Sequence, residues 1–206
     1  LMLESSHSDI SVFNNPIWVH STGLSIVKGP TRETVLRTMN YARNQGVPVS
    51  FDLNMTGSLG HINGMLEKQY EHNLRAAIEL SDCVFGSASD EIALLYPHEN
   101  MSQAVRSLAG KTRTAISRRG ELAAICASGS ELIESKPFQV DTVDTIGAGD
   151  AFNAGFIAAQ LEDLSIEKSL QWGHATAGLS IKTVGSGGKF DRIDVLKFIE
   201  QQPKLV

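Results

Sequence analysis

The sequence predicts an α/β protein with one mainly parallel sheet, Rossmann-like, and helices on both faces. Three observations predict this class. Short apolar runs typical of strands alternate with segments of helical periodicity along most of the chain. The 206 residues are 42% hydrophobic, enough for one sizeable core, and their 20% of charged residues is ordinary for a globular protein. We therefore expect residues 1–206 to form a single α/β domain.

The first half of the chain supplies repeated strand–helix units. Apolar runs predict strands at residues 17–20, 48–53 and 83–85. Helical spacing of apolar residues predicts helices at residues 31–44, 65–80, 90–95 and 102–108. Glycines mark the loop after the second strand, at Gly57, Gly60 and Gly64. Because such sheets bind ligands beyond the carboxyl ends of their strands, we expect the functional site at that edge.

The second half begins with a strand and a hairpin and ends in helices. A strand is predicted at residues 114–117, and a hairpin is predicted from residues 122–127 and 131–138 around Ser128-Gly129-Ser130. Residues 140–143 form a strand-like lead into a glycine loop. Three helices then follow, at residues 149–161, 166–182 and 192–201.

The glycine loop is the most informative stretch. Gly147-Ala148-Gly149 lies where a helix begins, and Asp150 follows directly. Small residues at a helix N-terminus leave backbone N–H groups uncovered, and the helix dipole adds positive potential, so the loop can hold a phosphate. A carboxylate beside that anion could accept the proton of a substrate hydroxyl. The alternative interpretation is an ordinary turn with Asp150 as a first-turn acid.

At this loop the sequence resembles a known family. Residues 144–150, DTIGAGD, are similar to the D-T-x-G-A-G-D signature of the ribokinase-like (PfkB) carbohydrate kinases, and the following A-F-x-A-G-F is also present. The resemblance implies a ribokinase-like topology. It also implies that Gly147, Ala148 and Gly149 form the anion hole and that Asp150 is the catalytic base. Asp144 matches the position that helps bind a monovalent cation such as K⁺ in many members.

Two earlier motifs extend the resemblance towards phosphate and metal. Residues 51–54, FDLN, resemble the F-D-x-N strand end, whose Asn54 position lies near the phosphates. Ser89-Asp90-Glu91 falls where the family has N-x-x-E, which implies that Glu91 holds Mg²⁺ through water. Two positions depart from the family pattern: Thr56 stands where an Arg is frequent, and Ala88 replaces the Asn of N-x-x-E.

Three further stretches resemble the elements that surround the nucleotide. The strand end at residues 116–121 occupies the place of V-T-x-G-x-x-G, with Leu122 instead of the second glycine. Residues 174–178 and 183–186 resemble the N-A-A-x-A helix and the T-x-x-G-A end, with His174 in place of Asn. The resemblance implies that adenine binds among these stretches. The implied contacts are Ser117, Gly120, His174, Val184, Gly185 and Ser186.

The resemblance implies an ATP-dependent transferase that phosphorylates a hydroxymethyl group of a sugar, sugar acid or nucleoside, with ATP, Mg²⁺ and K⁺. Family members are longer, and their substrate-binding strands and β lid precede the point that matches Leu1. We therefore expect an amino-terminally truncated ribokinase-like fold that need not be active by itself. The alternative function is a catalytically silent member that senses sugar or nucleotide. A NAD-dependent enzyme is disfavoured because no G-x-G-x-x-G turn follows a strand.

Composition limits partners and location. The formal net charge is −5 and Lys and Arg are scattered, which argues against a nucleic-acid partner. The sequence has no apolar run long enough for a membrane span and no signal-peptide pattern at its start, so we expect a cytoplasmic protein without a membrane partner. A sheet without its first strands would expose an edge, and a homo-oligomer is one way to cover it.

Overall fold

A computed structural model describes residues 15–55, 61–62, 65–185 and 189–201. The chain divides into two compact units. The first comprises Leu1–Ser117 and Ile125–Leu132, and the second comprises Arg118–Ala124 and Ile133–Val206. The organisation of the whole chain as a single domain stays a prediction.

Strands and helices alternate as the sequence predicts. The strands are β1 (Val19–Thr22), β2 (Val49–Asp52), β3 (His61–Ile62), β4 (Met65–Leu66), β5 (Cys83–Ser87), β6 (Thr114–Arg118), β7 (Ala124–Ser128) and β8 (Glu131–Ser135). The helices are α1 (Pro30–Asn44), α2 (Lys68–Glu79), α3 (Ala93–Leu95), α4 (Met101–Ala109), α5 (Ala148–Leu161), α6 (Ile166–Ser180) and α7 (Arg192–Gln201).

Within the described residues, six strands form one sheet in the order β1-β2-β5-β6-β7-β8. β1 pairs with β2 in parallel, and β2 pairs with β5 in parallel, with Ser50 opposite Cys83. β6 and β7 pair antiparallel, with Ile116 opposite Cys126. The α/β class with a mainly parallel, helix-flanked sheet is thereby confirmed.

The first unit is held by an apolar core between its strands and helices. All four residues of β2 are buried, which is why its sequence is a continuous run instead of an alternating one. α2 turns Tyr70, Leu74, Ala77 and Ile78 inward at helical spacing. The polar Asn73 shares this buried face because its amide donates to the Ile26 carbonyl at 3.0 Å. This core fixes the ends of β2 and β5, where two predicted site residues lie.

In the second unit, small residues let α5 and α6 approach closely. Gly155 faces Trp172 and Thr176, and a Cβ built at Gly155 would lie 2.7 Å from the Trp172 carbonyl oxygen. The Thr176 hydroxyl is 2.8 Å from the Ala151 carbonyl of α5. Because the two backbones are this close, α5 packs tightly against α6, and its first turn has a fixed position within the unit.

Several predicted elements differ in the structure. The strand at residues 140–143 is wrong: Val143 and Asp144 donate their N–H groups to the Ile181 carbonyl, at 2.8 and 3.2 Å, instead of to a strand. The helix at 65–80 begins only at Lys68, because Glu67 has extended backbone and the preceding residues pair as β3 and β4. The helix at 90–95 is replaced by a π-helical segment, Ala88–Ile92, followed by α3.

The loop predicted at Gly57, Gly60 and Gly64 lies outside the described residues. No helix in the part of the chain that the structure describes combines the length and the apolar character that a membrane span requires.

Candidate functional site

The first turn of α5 is built around a left-handed glycine. Gly147 has φ +78° and ψ 2°, a conformation that costs other residues energy, and the helix begins at Ala148. The Ala148 N–H makes a 3.2 Å bond to the Thr145 carbonyl. Among the described residues, the amides of Gly149 and Asp150 have no backbone acceptor. The turn therefore presents free donors at the positive end of the helix dipole.

Asp150 is the third residue of this helix and its side chain is exposed. Its carboxylate is thus accessible to a substrate. An acid in the first turn also interacts favourably with the helix dipole, so both interpretations drawn from the sequence are compatible with its position.

Asp144 connects the start of this loop to a second loop. Its Oδ1 accepts the N–H of Ile146 at 3.0 Å, and its Oδ2 accepts the N–H of Gly185 at 2.8 Å. These hydrogen bonds, first that from Ile146, lower the pKa of the Asp144 carboxyl below its ordinary value. The carboxylate therefore stays ionised and holds the Gly185 turn, where φ is +81°, beside the loop before α5. Its role in cation binding stays a prediction.

A guanidinium lies directly beside the first turn of α5. Arg118 Nη1 donates to Asn153 Oδ1 at 3.1 Å, and Asn153 is buried one turn into the helix. A Cβ built at Gly149 would lie 2.7 Å from the same Nη1. The sequence patterns assigned no role to Arg118 or Asn153. The signal that could have found them is a basic residue at a strand end, paired with a polar residue on the inner face of the helix.

The first unit contains the two residues predicted to lie near phosphate and metal. Glu91 is 5% exposed, and its carboxylate accepts the N–H of Met55 at 2.7 Å and of Ser87 at 2.6 Å. Asn54 has a positive φ of 35°, which is uncommon for a residue with a side chain, and its N–H donates to Asp52 Oδ1 at 3.2 Å. Glu91 and the segment after β2 are therefore brought together.

The residues predicted to surround adenine have varied environments. Ser117 is buried, and its hydroxyl is 3.4 Å from Met101 Sδ. Gly120 has φ +60° in a turn that the Leu122 N–H closes on the Arg119 carbonyl at 3.1 Å. Val184 is 84% exposed. Ser186, like Thr56, lies outside the described residues.

His174 is a buried residue of α6. Its Nε2 donates to the Ser135 carbonyl at 2.9 Å, and its ring meets Phe152 edge to face with centroids 5.1 Å apart. Burial lowers the pKa of His174 to about 4, and the hydrogen bond to Ser135 offsets part of that effect. The imidazole is therefore neutral near pH 7. A contact with adenine stays a prediction, and the structure adds a packing role that the sequence did not indicate.

Comparison with known proteins matches residues 3–192 to the family model described as pfkB family carbohydrate kinase. The chain is 27% identical over 190 residues to the ATP-dependent 6-phosphofructokinase of Thermoanaerobacterium thermosaccharolyticum, covering 91% of this chain and 57% of that protein. It is 27% identical over 185 residues to the 5-dehydro-2-deoxygluconokinase of Geobacillus thermodenitrificans, covering 87% and 53%.

Solved structures give the same fold. A ribokinase II candidate from E. coli, crystallised with ATP and Mg²⁺, matches with a TM-score of 0.85 and 25% identity over 97% of this chain and 63% of that one. Fructokinase from Xylella fastidiosa with bound ATP matches with a TM-score of 0.83 and 23% identity, covering 98% and 66%. The chain spans a little over half the length of the curated relatives described above.

Proposed function

The chain belongs to the pfkB family of carbohydrate kinases, and from this premise we propose that it carries the phosphoryl-transfer site of an ATP-dependent kinase. The acceptor is a hydroxymethyl group on a sugar, sugar acid or nucleoside. One observation carries the proposal: the family's D-T-x-G-A-G-D signature coincides with the first turn of α5, where Asp150 is exposed and the Gly149 and Asp150 amides find no backbone acceptor among the described residues.

The first turn of α5 would stabilise the charge of the transferring phosphoryl group. Charge accumulates on its oxygens, and fixed N–H donors at a helix N-terminus stabilise it without reorganisation. The left-handed conformation of Gly147 sets the direction of the turn. Ala148 and Gly149 are too small to obstruct an approaching anion.

Asp150 would act as the base. As the substrate hydroxyl oxygen attacks the γ-phosphorus of ATP, its proton passes to the Asp150 carboxylate. The bond between the γ-phosphorus and the bridging oxygen breaks, and ADP leaves with that electron pair. An exposed carboxylate three residues into the helix suits this task, because a substrate hydroxyl can approach it from solvent.

Glu91 and Asp144 would serve the cations. Glu91, whose carboxylate accepts the Met55 and Ser87 amides, would hold Mg²⁺ through water, as the family resemblance implies. Mg²⁺ would neutralise phosphate charge. Asp144 would contribute to a K⁺ site beside the Gly185 turn, with an ionised carboxylate already in place.

The remaining predicted contacts would bind the nucleotide. Asn54 would lie near the phosphates, and the adenine would contact residues around the two turns that contain Gly120 and Gly185. Ser117 would contribute through its backbone, since its hydroxyl is directed at Met101. His174 would contribute through a ring edge, because the residue is 7% exposed.

The test is ADP release by the complete protein with ATP, Mg²⁺ and a panel of sugars, sugar acids and nucleosides. Asp150→Asn should lower kcat on the order of 10²- to 10⁴-fold, because it keeps the shape and removes the base. Asp163→Asn is the matched control, an exposed acid after the same helix. Substrate-dependent ADP release that survives in Asp150→Asn would refute the base. Nucleotide binding without any acceptor-dependent release would instead favour a silent sensor.

A further inference from the structure

Three lysines that are separated in the sequence line one groove of the second unit. Lys182 follows α6, Lys189 precedes α7, and Lys197 lies on α7. The groove has a volume of about 460 Å³, and small-molecule sites in proteins have volumes of about 300 to 1,000 Å³. Because the formal net charge of the chain is −5, a group of lysines in one concave place differs from the overall charge of the protein.

The positive charge of this groove is not neutralised by protein groups. Among the described residues, none of the three lysines forms an ion pair. Of the described residues that line the groove, Asp194 is the one acid, and its Oδ2 accepts the Asp191 N–H at 3.0 Å in the first turn of α7. Three ammonium groups and one carboxylate leave the groove with a net charge of +2.

The floor of the groove is apolar. Phe198 is 7% exposed, and its ring meets Phe138 edge to face with centroids 5.3 Å apart. Leu179 and Phe190 pack against the same core and also line the groove. Lys182 extends over this floor, with its Nζ 6.0 Å from the centroid of the Phe198 ring. A ligand in the groove would therefore meet carbon surface and ammonium groups together.

A phosphate ester has the chemistry that this combination recognises. At pH 7 a phosphate monoester carries a charge of about −1.5 to −2, which matches the net charge of the groove better than a single carboxylate does. Its free oxygens accept hydrogen bonds from ammonium groups, each of which has three donors. Like charges that share a groove repel one another, and a bound anion offsets that repulsion. The carbon part of the ester would cover the apolar floor and remove it from water.

We propose that this groove is a second ligand site, which binds a phosphorylated small molecule through Lys182, Lys189 and Lys197. The inference goes beyond the proposed function and does not depend on it. None of the described residues 144–150, which the proposed function places in phosphoryl transfer, lines the groove.

The groove is nevertheless adjacent in the chain to the turn that Asp144 holds. Thr183 lines the groove, and Gly185, two residues later, donates its N–H to Asp144 Oδ2 at 2.8 Å. A ligand in the groove would therefore contact the segment that leads into this turn.

The first experiment measures the binding of two probes to the complete protein by isothermal titration at low ionic strength. The imido analogue of ATP and Mg²⁺ are present throughout, so that they compete for the proposed phosphoryl-transfer site. Phenyl phosphate should bind on the order of 10-fold more tightly than inorganic phosphate, because its ring covers the apolar floor. Equal affinities, or no binding of either probe, would overturn the proposal.

Lysine variants test whether the probe binds in the groove. Lys189→Met and Lys197→Met should each weaken the binding of phenyl phosphate on the order of 5- to 10-fold, the loss of one charge-assisted hydrogen bond. Lys168→Met is the matched control, because Lys168 is exposed in the first turn of α6, whereas the groove lies at the other end of this 15-residue helix, about 22 Å away. Unchanged binding in both groove variants, or an equal loss in the control, would place the probe elsewhere and refute the site.

The third experiment distinguishes the two sources of a phosphate ester. AMP and glucose 6-phosphate are titrated under the same conditions, into the unaltered protein and into Lys197→Met. Tighter binding of AMP, weakened in the variant, would assign the groove to nucleotides, and the same result with glucose 6-phosphate would assign it to sugar phosphates. If neither binds, or if Lys197→Met weakens neither, the groove is not a site for a phosphorylated metabolite.

Discussion

Glu91 and Asp150 are both acidic side chains in the first turn of a helical segment, yet their surroundings are opposite. Glu91 is 5% exposed, and both of its carboxylate oxygens accept backbone N–H groups. Asp150 is exposed, and within the part of the chain that the structure describes its own amide has no backbone acceptor. The first arrangement closes a network within the protein, whereas the second leaves donors and a carboxylate for a ligand.

This difference corresponds to two distinct roles of an acidic residue, one in stability and one in action on a substrate. A satisfied, buried carboxylate contributes to the free energy of unfolding, because its removal leaves buried donors unpaired. An exposed carboxylate contributes little to that free energy and can act on substrate. The same substitution from acid to amide should therefore have opposite signatures at the two positions.

Glu91→Gln should show the largest loss of stability. The amide nitrogen would face either the Met55 or the Ser87 N–H, donor against donor, and the one hydrogen bond that remains would no longer have a charged acceptor. We expect unfolding free energy to fall by about 3 to 4 kcal/mol. Urea denaturation of the complete protein measures it, and Asp150→Asn is the matched comparison, with a change within about 0.5 kcal/mol. Equal stability of the two variants would remove the distinction drawn between the two acids.

The sequence indicates the glycine loop and Asp150 directly, whereas it does not indicate the partners of the buried polar residues. The glycine loop and Asp150 were identified from a local motif, because an anion-binding turn is made by consecutive residues. The partners of Glu91, Asp144 and His174 lie distant in sequence: Ser135 is 39 residues from His174, and Gly185 is 41 from Asp144. No periodicity encodes such pairs. Arg118 was missed for the same reason, since its partner Asn153 is 35 residues away.

The strand predicted at residues 140–143 does not form, and the reason is again a contact between residues distant in sequence. Alternation and apolar character favour extended backbone there, but they do not specify a neighbouring strand. The Val143 and Asp144 amides use the Ile181 carbonyl at the end of α6 instead. A segment of strand-like sequence forms a strand only when another strand is available to pair with it.

Helix α5 has a closely packed middle and a less packed first turn, and one glycine substitution in each compares them. Gly155→Ala would press a Cβ against Thr176 and to 2.7 Å from the Trp172 carbonyl, where backbone cannot yield easily. We expect a loss of about 2 to 3 kcal/mol in unfolding free energy. Gly149→Ala meets only the flexible end of Arg118 and should cost less than about 1 kcal/mol, while displacing the guanidinium. Thermal and urea unfolding measure both; a larger loss at Gly149 would mean that the first turn is as closely packed as the middle.

A smaller effect than those of Glu91→Gln and Gly155→Ala is expected from a pH dependence that originates in the buried environment of His174. Burial holds its pKa at about 4, below the ordinary value of 6.5, so the unfolded chain binds the proton more tightly than the folded protein. The contribution to stability is therefore complete above pH 6.5 and is lost progressively as the pH falls towards 4. Between pH 8 and pH 5 the loss is about 2 kcal/mol.

Urea unfolding at several pH values should show this loss, and His174→Gln should remove it, since glutamine can donate to the Ser135 carbonyl without titrating. His72→Gln is the matched control, because His72 is exposed on α2 and should leave the pH dependence unchanged. A pH dependence that persists in His174→Gln would assign the acid sensitivity to other groups. It would also mean that the His174 ring is more accessible than its packing against Phe152 indicates, as a residue open to a ligand would be.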